Sequence, residues 1–275
     1  MVRPRILGIV NVTRDSFSDG GACLEPEAAL AHARGLVADG ADIIDLGAES
    51  THPDAEDVPA DVEIARLTPL IARLKGDGLA VSVDTYKPAV IRRVLSLGVD
   101  FINDVTALRD PESVAAVRDG DARLILMHSR ASSARAERGQ ADPATIVDEI
   151  LRFFEQRIAA LAQAGIPCER LILDPGMGFF LGRDPLVSLA VLRDLGRLVG
   201  LGLPVLVSTS RKSFIGGLLG SPDAPRPVDQ RGAGTLATEL WAVREGVAYV
   251  RTHDVRALCD ALSLLSALDN PRNSG

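Results

Sequence analysis

The sequence predicts an α/β protein, a single-domain (β/α)8 barrel of the TIM type. Three observations lead there. Short apolar, β-branched runs recur along the whole chain, and each is continuous, as expected of strands covered on both faces in a parallel sheet. Helical patterns separate these runs. Eight such pairs in about 250 residues is the size of one closed barrel, and the chain has 275 residues. An open, doubly wound sheet shares the periodicity, but no strand opens into G-x-G-x-x-G, so its dinucleotide-binding form has no support.

The first strand is RILGIV (5–10), which stops at Asn11 and spills into the polar, glycine-rich VTRDSFSDGG. DIIDLG (42–47) runs into Glu49-Ser50-Thr51, and AVSVD (80–84) ends in Asp84, with Pro88 placed to open a helix. FINDV (101–105) carries Asn103-Asp104, and RLILMH (123–128) ends at His128-Ser129. The clearest helix spans 145–163, with Ile146, Ile150, Phe153, Ile158 and Leu161 at steps of three and four and Gly165 as its stop. RLILD (170–174) ends in Asp174, PVLVS (204–208) leads to Ser210-Arg211-Lys212-Ser213, and YVRTH (249–253) carries Arg251, Thr252, His253 and then Asp254. Residues 1–270 form one domain and 271–275 a frayed tail. The polar loops 129–142 and 221–230 are the segments expected to be flexible.

Composition narrows the function. Hydrophobic residues make up 47% and charged residues 24%, ordinary for a globular core, and aromatics only 4%. A net charge of −7 offers no basic field for nucleic acid. Cys23, Cys168 and Cys259 are scattered, which fits a reducing compartment better than a disulfide framework or a zinc site. The apolar start is too short for a signal segment or a membrane span, so a cytoplasmic protein without membrane partners is expected.

Barrel chemistry gathers at the C-terminal strand ends, where these polar residues stand. Any one of them would read as a helix cap; Asp110, before Pro111, reads that way, and Ser113 reads as ordinary surface. Asp84, Asn103 and Asp174 sit in apolar strands and need hydrogen-bond partners, which a ligand with several N–H donors would supply. Arg211, Lys212, Arg251 and His253, on the last two strands of an acidic chain, read as an anion site. His128 fits a structural histidine as well as a functional one. Met127 and Phe179-Phe180 are more often core than ligand contacts, and Trp241 reads as packing.

In this order, GIVNVTRDSFSDGG, EST followed by Pro53, SVDTYKP, INDV, DPGMGF, SRKSF and RTHD resemble the dihydropteroate synthases over nearly the whole chain. The resemblance implies a homodimeric (β/α)8 barrel that joins p-aminobenzoate to 6-hydroxymethyl-7,8-dihydropterin pyrophosphate with Mg²⁺. It implies that Asp84, Asn103, Met127, Asp174 and Lys212 hold the pterin, and that Asn11, Thr51, Arg251 and His253 hold the pyrophosphate. Asn11 would also meet Mg²⁺. Phe17, Thr51, Pro53, Phe179, Arg211 and Ser213 would shape the p-aminobenzoate slot. In the family the segment DSFSDGG closes over the site. Its Asp15 and Asp19, foremost Asp19, would stabilise a cationic intermediate beside Lys212 and Arg251. A pterin-binding methyltransferase barrel has no use for SRKSF and RTHD, and a non-catalytic pterin-binding protein would have lost Lys212 or Arg251.

The chain departs from the usual pattern at several places. Arg14 stands where most members carry Pro, and His52 where they carry Arg; the fifth strand ends MHSRAS. The loop DPGMGFFLG is about two residues longer than the common form. MHS, DPGMGFFLG, HPDA and RTH together resemble the mobile, sulfonamide-insensitive branch, while Glu49, Thr51 and TYKP keep the ordinary form. The longer loop around Phe179 and Phe180 is expected to crowd the outer p-aminobenzoate slot and exclude bulkier sulfonamides.

Overall fold

The structure, a computed structural model, describes residues 2–12, 26–52, 54–130, 134–135, 140–221 and 224–269. Asp15, Phe17, Asp19, Pro53, the tail 270–275 and most of 131–139 lie outside the described residues. In chain order the elements are β1 (Arg5–Asn11), α1 (Pro26–Ala38), β2 (Ile43–Gly47), α2 (Ala60–Gly76), β3 (Val81–Asp84), α3 (Pro88–Ser96), β4 (Phe101–Asp104) and α4 (Pro111–Arg118). There follow β5 (Arg123–Met127), α5 (Ile146–Gln163), β6 (Leu171–Asp174), α6 (Pro185–Arg193), α7 (Leu195–Val199), β7 (Leu206–Val207), α8 (Ser213–Leu219), α9 (Gly232–Arg244), β8 (Tyr249–Thr252) and α10 (Val255–Asp269).

All strand pairs are parallel, in the order β6-β5-β4-β3-β2-β1-β8-β7. The ends of that order meet through a bridge between Leu173 and Val205, with the Leu173 N–H donating to Pro204 O at 2.9 Å. The sheet therefore closes into a barrel, as its alternation of strands and helices predicts.

Strand alternation explains where chemistry can sit. Leu7, Ile43, Phe101, Ile125, Ile172, Leu206 and Tyr249 form one cluster that fills the lumen. Side chains two positions further along a strand face the same side. The next lumen layer is therefore Asp45, Asn103, Met127, Asp174, Ser208 and Arg251. The intervening residues, among them Ile44, Leu46, Val83, Ile102, Leu126, Leu173 and Val250, point outward into the core under the helices. Each such buried aliphatic side chain contributes about 1.5–3 kcal/mol, so the apolar plug and outer core hold a polar layer rigidly above them.

The helices begin as their sequences dictate. Pro88, Pro111 and Pro185 open α3, α4 and α6, and the Asp110 and Asp184 carboxylates accept from the N–H groups of Glu112 and Leu186. Ser113 corrects the surface reading. It is fully buried, and its hydroxyl donates to Tyr86 O at 3.2 Å, because α4 packs its first turn against the loop after β3. In α5, Phe154 is the fully buried aromatic, while Phe153 meets the His128 ring edge-on at 5.0 Å. Trp241 packs only in part: the residue is 43% exposed, and its Nε1–H donates to Leu192 O at 2.8 Å, tying α9 to α6.

Candidate active site

The polar layer is organised by Arg251 on β8. Its Nε–H donates to Asp45 Oδ2 at 2.6 Å and its Nη2–H to Asp84 Oδ2 at 3.0 Å. Burial works against this guanidinium, but Asp45 and then Asp84 outweigh burial and hold its pKa above the ordinary value. Asp45 is fully buried, and its second oxygen has no hydrogen-bond partner among the described residues; the buried hydroxyls of Ser82 and Ser208 share that condition. Polar atoms of this kind at the floor of a barrel mouth are where a polar ligand or ordered water belongs.

Asp84 and Asn103 are register neighbours on β3 and β4. Burial pushes Asp84 up to about 7, with Arg251 pulling it down and Asp45 adding like-charge repulsion. Asp174 accepts the Gly176 N–H at 2.8 Å; burial raises it to about 6, while that N–H and Lys212 restrain the rise. Lys212, which precedes α8, is lowered to about 8 by burial and by Arg251, against the pull of Asp174 and Asp84. The structure thus brings Asp45, Asp84, Asn103, Asp174, Lys212 and Arg251 into one cluster in which three carboxylates face two cations.

Val105, Met127 and Phe180 form an apolar wall beside it, flanked by Tyr86 and Phe179, and the Lys212 ammonium lies 5.1 Å from the Phe180 ring centroid. The loop after β6 is folded tightly to achieve this. Gly176 and Gly178 have φ of +71° and +67°; a Cβ on Gly178 would lie 2.9 Å from Ser213 Oγ, and one on Gly176 would collide with the His128 carbonyl. Only glycine fits both positions. The loop delivers Phe179 edge-on to His52 at 6.1 Å, so the loops after β6 and β2 meet across the mouth.

At the other end, His253 Nδ1 lies 2.9 Å from Ser210 Oγ, and the His253 N–H donates to the same oxygen at 3.1 Å. Burial, together with Arg211, Arg251 and Lys212, lowers this imidazole to about 3, so it is neutral at physiological pH. Arg211 adopts φ +59°, held by its N–H donating to Thr235 Oγ1 at 3.0 Å and by Arg231 donating to its carbonyl at 2.9 Å; its side chain is exposed. Asn11 is exposed at the end of β1, level with Gly47 of β2, and Thr51 and Ser213 are half-buried on the rim. Among the described residues no group of three or more His, Cys, Asp or Glu side chains is arranged to hold a metal. His128 does not join the cluster. It is buried against Phe153, outward in the strand alternation, and burial lowers it to about 4.

Sequence reasoning missed Asp45. The signal was available: a carboxylate in phase with Ile43 on a fully buried strand requires a buried cation. It also missed the support under the β2 loop, where the Lys87 ammonium contacts Glu49 and lies 3.0 Å from Glu63 Oε2, and the Tyr86 hydroxyl donates to Glu49 at 3.4 Å.

The family model for pterin binding enzymes matches residues 7–253. Dihydropteroate synthase type-2 of Escherichia coli is 48% identical over 264 residues, covering 96% of this chain and 95% of the relative. The chain belongs to the dihydropteroate synthase family. Among solved members, the dihydropteroate synthase of Xanthomonas albilineans with 4-aminobenzoic acid superposes with a TM-score of 0.88 at 43% identity, covering 98% of this chain and 94% of that one. The same enzyme in complex with 7,8-dihydropteroate gives a TM-score of 0.84 at 42% identity, over 98% and 94% of the two chains. The fold is the (β/α)8 barrel of these solved relatives, and in this chain the polar cluster occupies the C-terminal strand ends.

Proposed function

We propose that the chain condenses 6-hydroxymethyl-7,8-dihydropterin pyrophosphate with p-aminobenzoate, giving 7,8-dihydropteroate and pyrophosphate, in the cytoplasm and as a homodimer. The observation that carries this reading is the buried cluster of Asp84, Asn103, Asp174, Lys212 and Arg251. Carboxylates and an amide accept from the N–H edge of a pterin, which Met127 and Phe180 flank. As the methylene C–O bond breaks, pyrophosphate takes the bonding pair and the pterin becomes cationic. A pocket with an excess of carboxylates stabilises that charge without reorganising. The aniline nitrogen then forms the C–N bond and releases its proton, and His253, Arg251 and Arg211 hold the departing anion. Asp15 and Asp19 of the loop after β1 are read as adding negative charge beside the cation, and Phe17, Thr51, Pro53, Phe179 and Ser213 as enclosing the aminobenzoate.

Asn11 fits a hard cation that takes most of its oxygen ligands from a diphosphate, since Mg²⁺ needs few protein ligands beside substrate phosphates. Bound there, Mg²⁺ would neutralise charge on the leaving pyrophosphate. Exposed Leu186, Leu218, Leu219 and Trp241 lie on α6, α8 and α9, which pack against one another, and this apolar surface supports a dimer. Sedimentation equilibrium is expected to give twice the chain mass, and a monomer at all concentrations would refute it.

The test is release of pyrophosphate by purified protein given both substrates and Mg²⁺. Equal amounts of pyrophosphate and 7,8-dihydropteroate are expected, and none when p-aminobenzoate is omitted or EDTA is added. Tight pterin binding without turnover would make this a binding protein. The Phe179–His52 contact further supports reduced sulfonamide sensitivity. Phe179→Ala is expected to lower the sulfamethoxazole inhibition constant at least about 10-fold while moving the p-aminobenzoate KM less than about 3-fold. An unchanged inhibition constant would sink that reading.

A further inference from the structure

Arg231 has no part in the proposed reaction, yet its guanidinium is bonded to the backbone of the segment that carries Lys212. It stands immediately before α9. Its Nη1–H donates to Arg211 O at 2.9 Å and to Lys212 O at 3.4 Å, and its Nε–H donates to Arg226 O at 2.8 Å. The side chain is half-buried against α8, where Gly216 leaves room for it: a Cβ there would lie 2.6 Å from Arg231 Nη2. The Arg226 N–H donates to Gly216 O at 2.9 Å, so the segment before α9 is tied to α8 at the residue on which the guanidinium rests.

This clamp holds a strained turn. The Lys212 N–H donates to Thr209 O at 3.0 Å, closing a turn from Thr209 to Lys212 with Arg211 in its third position. Arg211 has φ +59°, a conformation that glycine or asparagine adopts readily and that longer side chains resist. Two residues at the start of α9 oppose that resistance. Thr235 Oγ1 accepts the Arg211 N–H at 3.0 Å, and Arg231 donates to the carbonyls of Arg211 and Lys212. The turn leaves the Arg211 side chain exposed at the rim, while the Lys212 ammonium lies 5.1 Å from the Phe180 centroid and its charge meets Asp174, Asp84 and Arg251. A flip of Arg211 to negative φ would rotate the peptide that follows and carry Lys212 out of the cluster.

We propose that Arg231, seated on Gly216, is the positioning residue of this turn: by holding the carbonyls of Arg211 and Lys212 it keeps Arg211 left-handed and the Lys212 ammonium in the cluster. It acts on bound dihydropterin pyrophosphate through Lys212 and Arg211. The inference rests on reading those two residues as ligand contacts.

The chain has three lysines, Lys75, Lys87 and Lys212, so ¹³C-lysine NMR titration reads Lys212 directly, with its signal assigned by Lys212→Arg. Wild type is expected to titrate at about 8. Arg231→Met removes the donors, and the Lys212 midpoint should rise by at least about one pH unit, toward the ordinary lysine value of about 10.4. Gly216→Ala attacks the same contact from the other side: its methyl displaces the guanidinium, while alanine suits a helix, so this variant should fold and give the same rise. Arg211→Gly supplies the decisive background. Glycine adopts φ +59° unaided, so adding Arg231→Met to Arg211→Gly should move the midpoint by less than about 0.3 pH units. An arginine that only stabilises the fold would lower the melting temperature and leave the Lys212 midpoint of the folded protein in place. That result, or an equal rise in both backgrounds, would overturn the proposal. In parallel, kcat/KM for dihydropterin pyrophosphate should fall about 10²-fold in Arg231→Met, and less than about 3-fold when the same change is made in Arg211→Gly. The titration is read without turnover, so these shifts in an inactive protein would retain this inference and remove the proposed function.

Discussion

Arg251→Met is expected to abolish synthesis and to destabilise the fold at the same time. The guanidinium is shared by Asp45, which is fully buried, and by Asp84. Methionine fills much of the volume but leaves both carboxylates without their cation. Breaking a buried ion pair from one side costs about 3–5 kcal/mol, enough to lower the melting temperature of a chain this long by about 5–10 degrees. Activity should fall by at least about 10³-fold, since removing a single donor to a developing anion costs about 10²–10³. The pH dependence gives a sharper signature. Burial already holds Asp84 above its unfolded value, at about 7, and Arg251 is what restrains it. Without Arg251 its folded pKa rises further. The folded state then binds more protons than the unfolded chain from about pH 4 to beyond pH 7, so stability falls as pH rises through that window. Arg251→Met should therefore recover stability relative to wild type as pH falls from the alkaline side to about 7, the range in which the variant's Asp84 is protonated and the wild-type one is still ionised. Thermal melts across that range check it; a variant uniformly destabilised at every pH would contradict the charge argument.

The barrel was legible because continuous apolar runs require a sheet covered on both faces and eight of them match the size of one closed barrel; the periodicity is shared by an open sheet, and closure rests on the bridge between Leu173 and Val205. The site was legible for a related reason. Asp84, Asn103 and Asp174 interrupt strands that are otherwise apolar, and polar groups so placed need partners. Asp45 escaped because it lies inside a run and not at its end, where lumen and outer face cannot be told apart until the phase of Ile43 is known. Glu239 of α9, a carboxylate only 1% exposed, escaped for a different reason: on a helix, the direction of a single side chain depends on how the helix rotates against the sheet. Ser113 and Trp241 misled because burial at helix starts and rims is set by neighbouring loops, which carry no periodic signal. Phe179 was placed by its glycines, since a loop with two left-handed positions packed against Ser213 and the His128 carbonyl has one path.

Asp174→Asn separates the fold from the chemistry. The carboxylate accepts the Gly176 N–H, and an asparagine oxygen can accept the same bond, so the loop should keep its path and the melting temperature should stay within a few degrees of wild type. The second oxygen is different. A carboxylate accepts from two N–H groups of a pterin edge, whereas the amide presents its NH2 group to one of them. A charge-assisted hydrogen bond contributes about 1.5–3 kcal/mol, and an unmatched donor in a buried site adds a penalty of similar size. The kcat/KM for dihydropterin pyrophosphate should therefore fall about 10²–10³-fold, with the KM for p-aminobenzoate little changed. Wild-type kcat/KM should decline on the acid side in two steps as Asp84 and Asp174, at about 7 and about 6, take up protons. Asp174→Asn should retain one step and lose the other. An acid limb that keeps both steps in the variant, or a variant that binds dihydropterin pyrophosphate as tightly as wild type, would remove Asp174 from the pterin edge. The cluster would then be left to Asp84, Asn103 and Arg251.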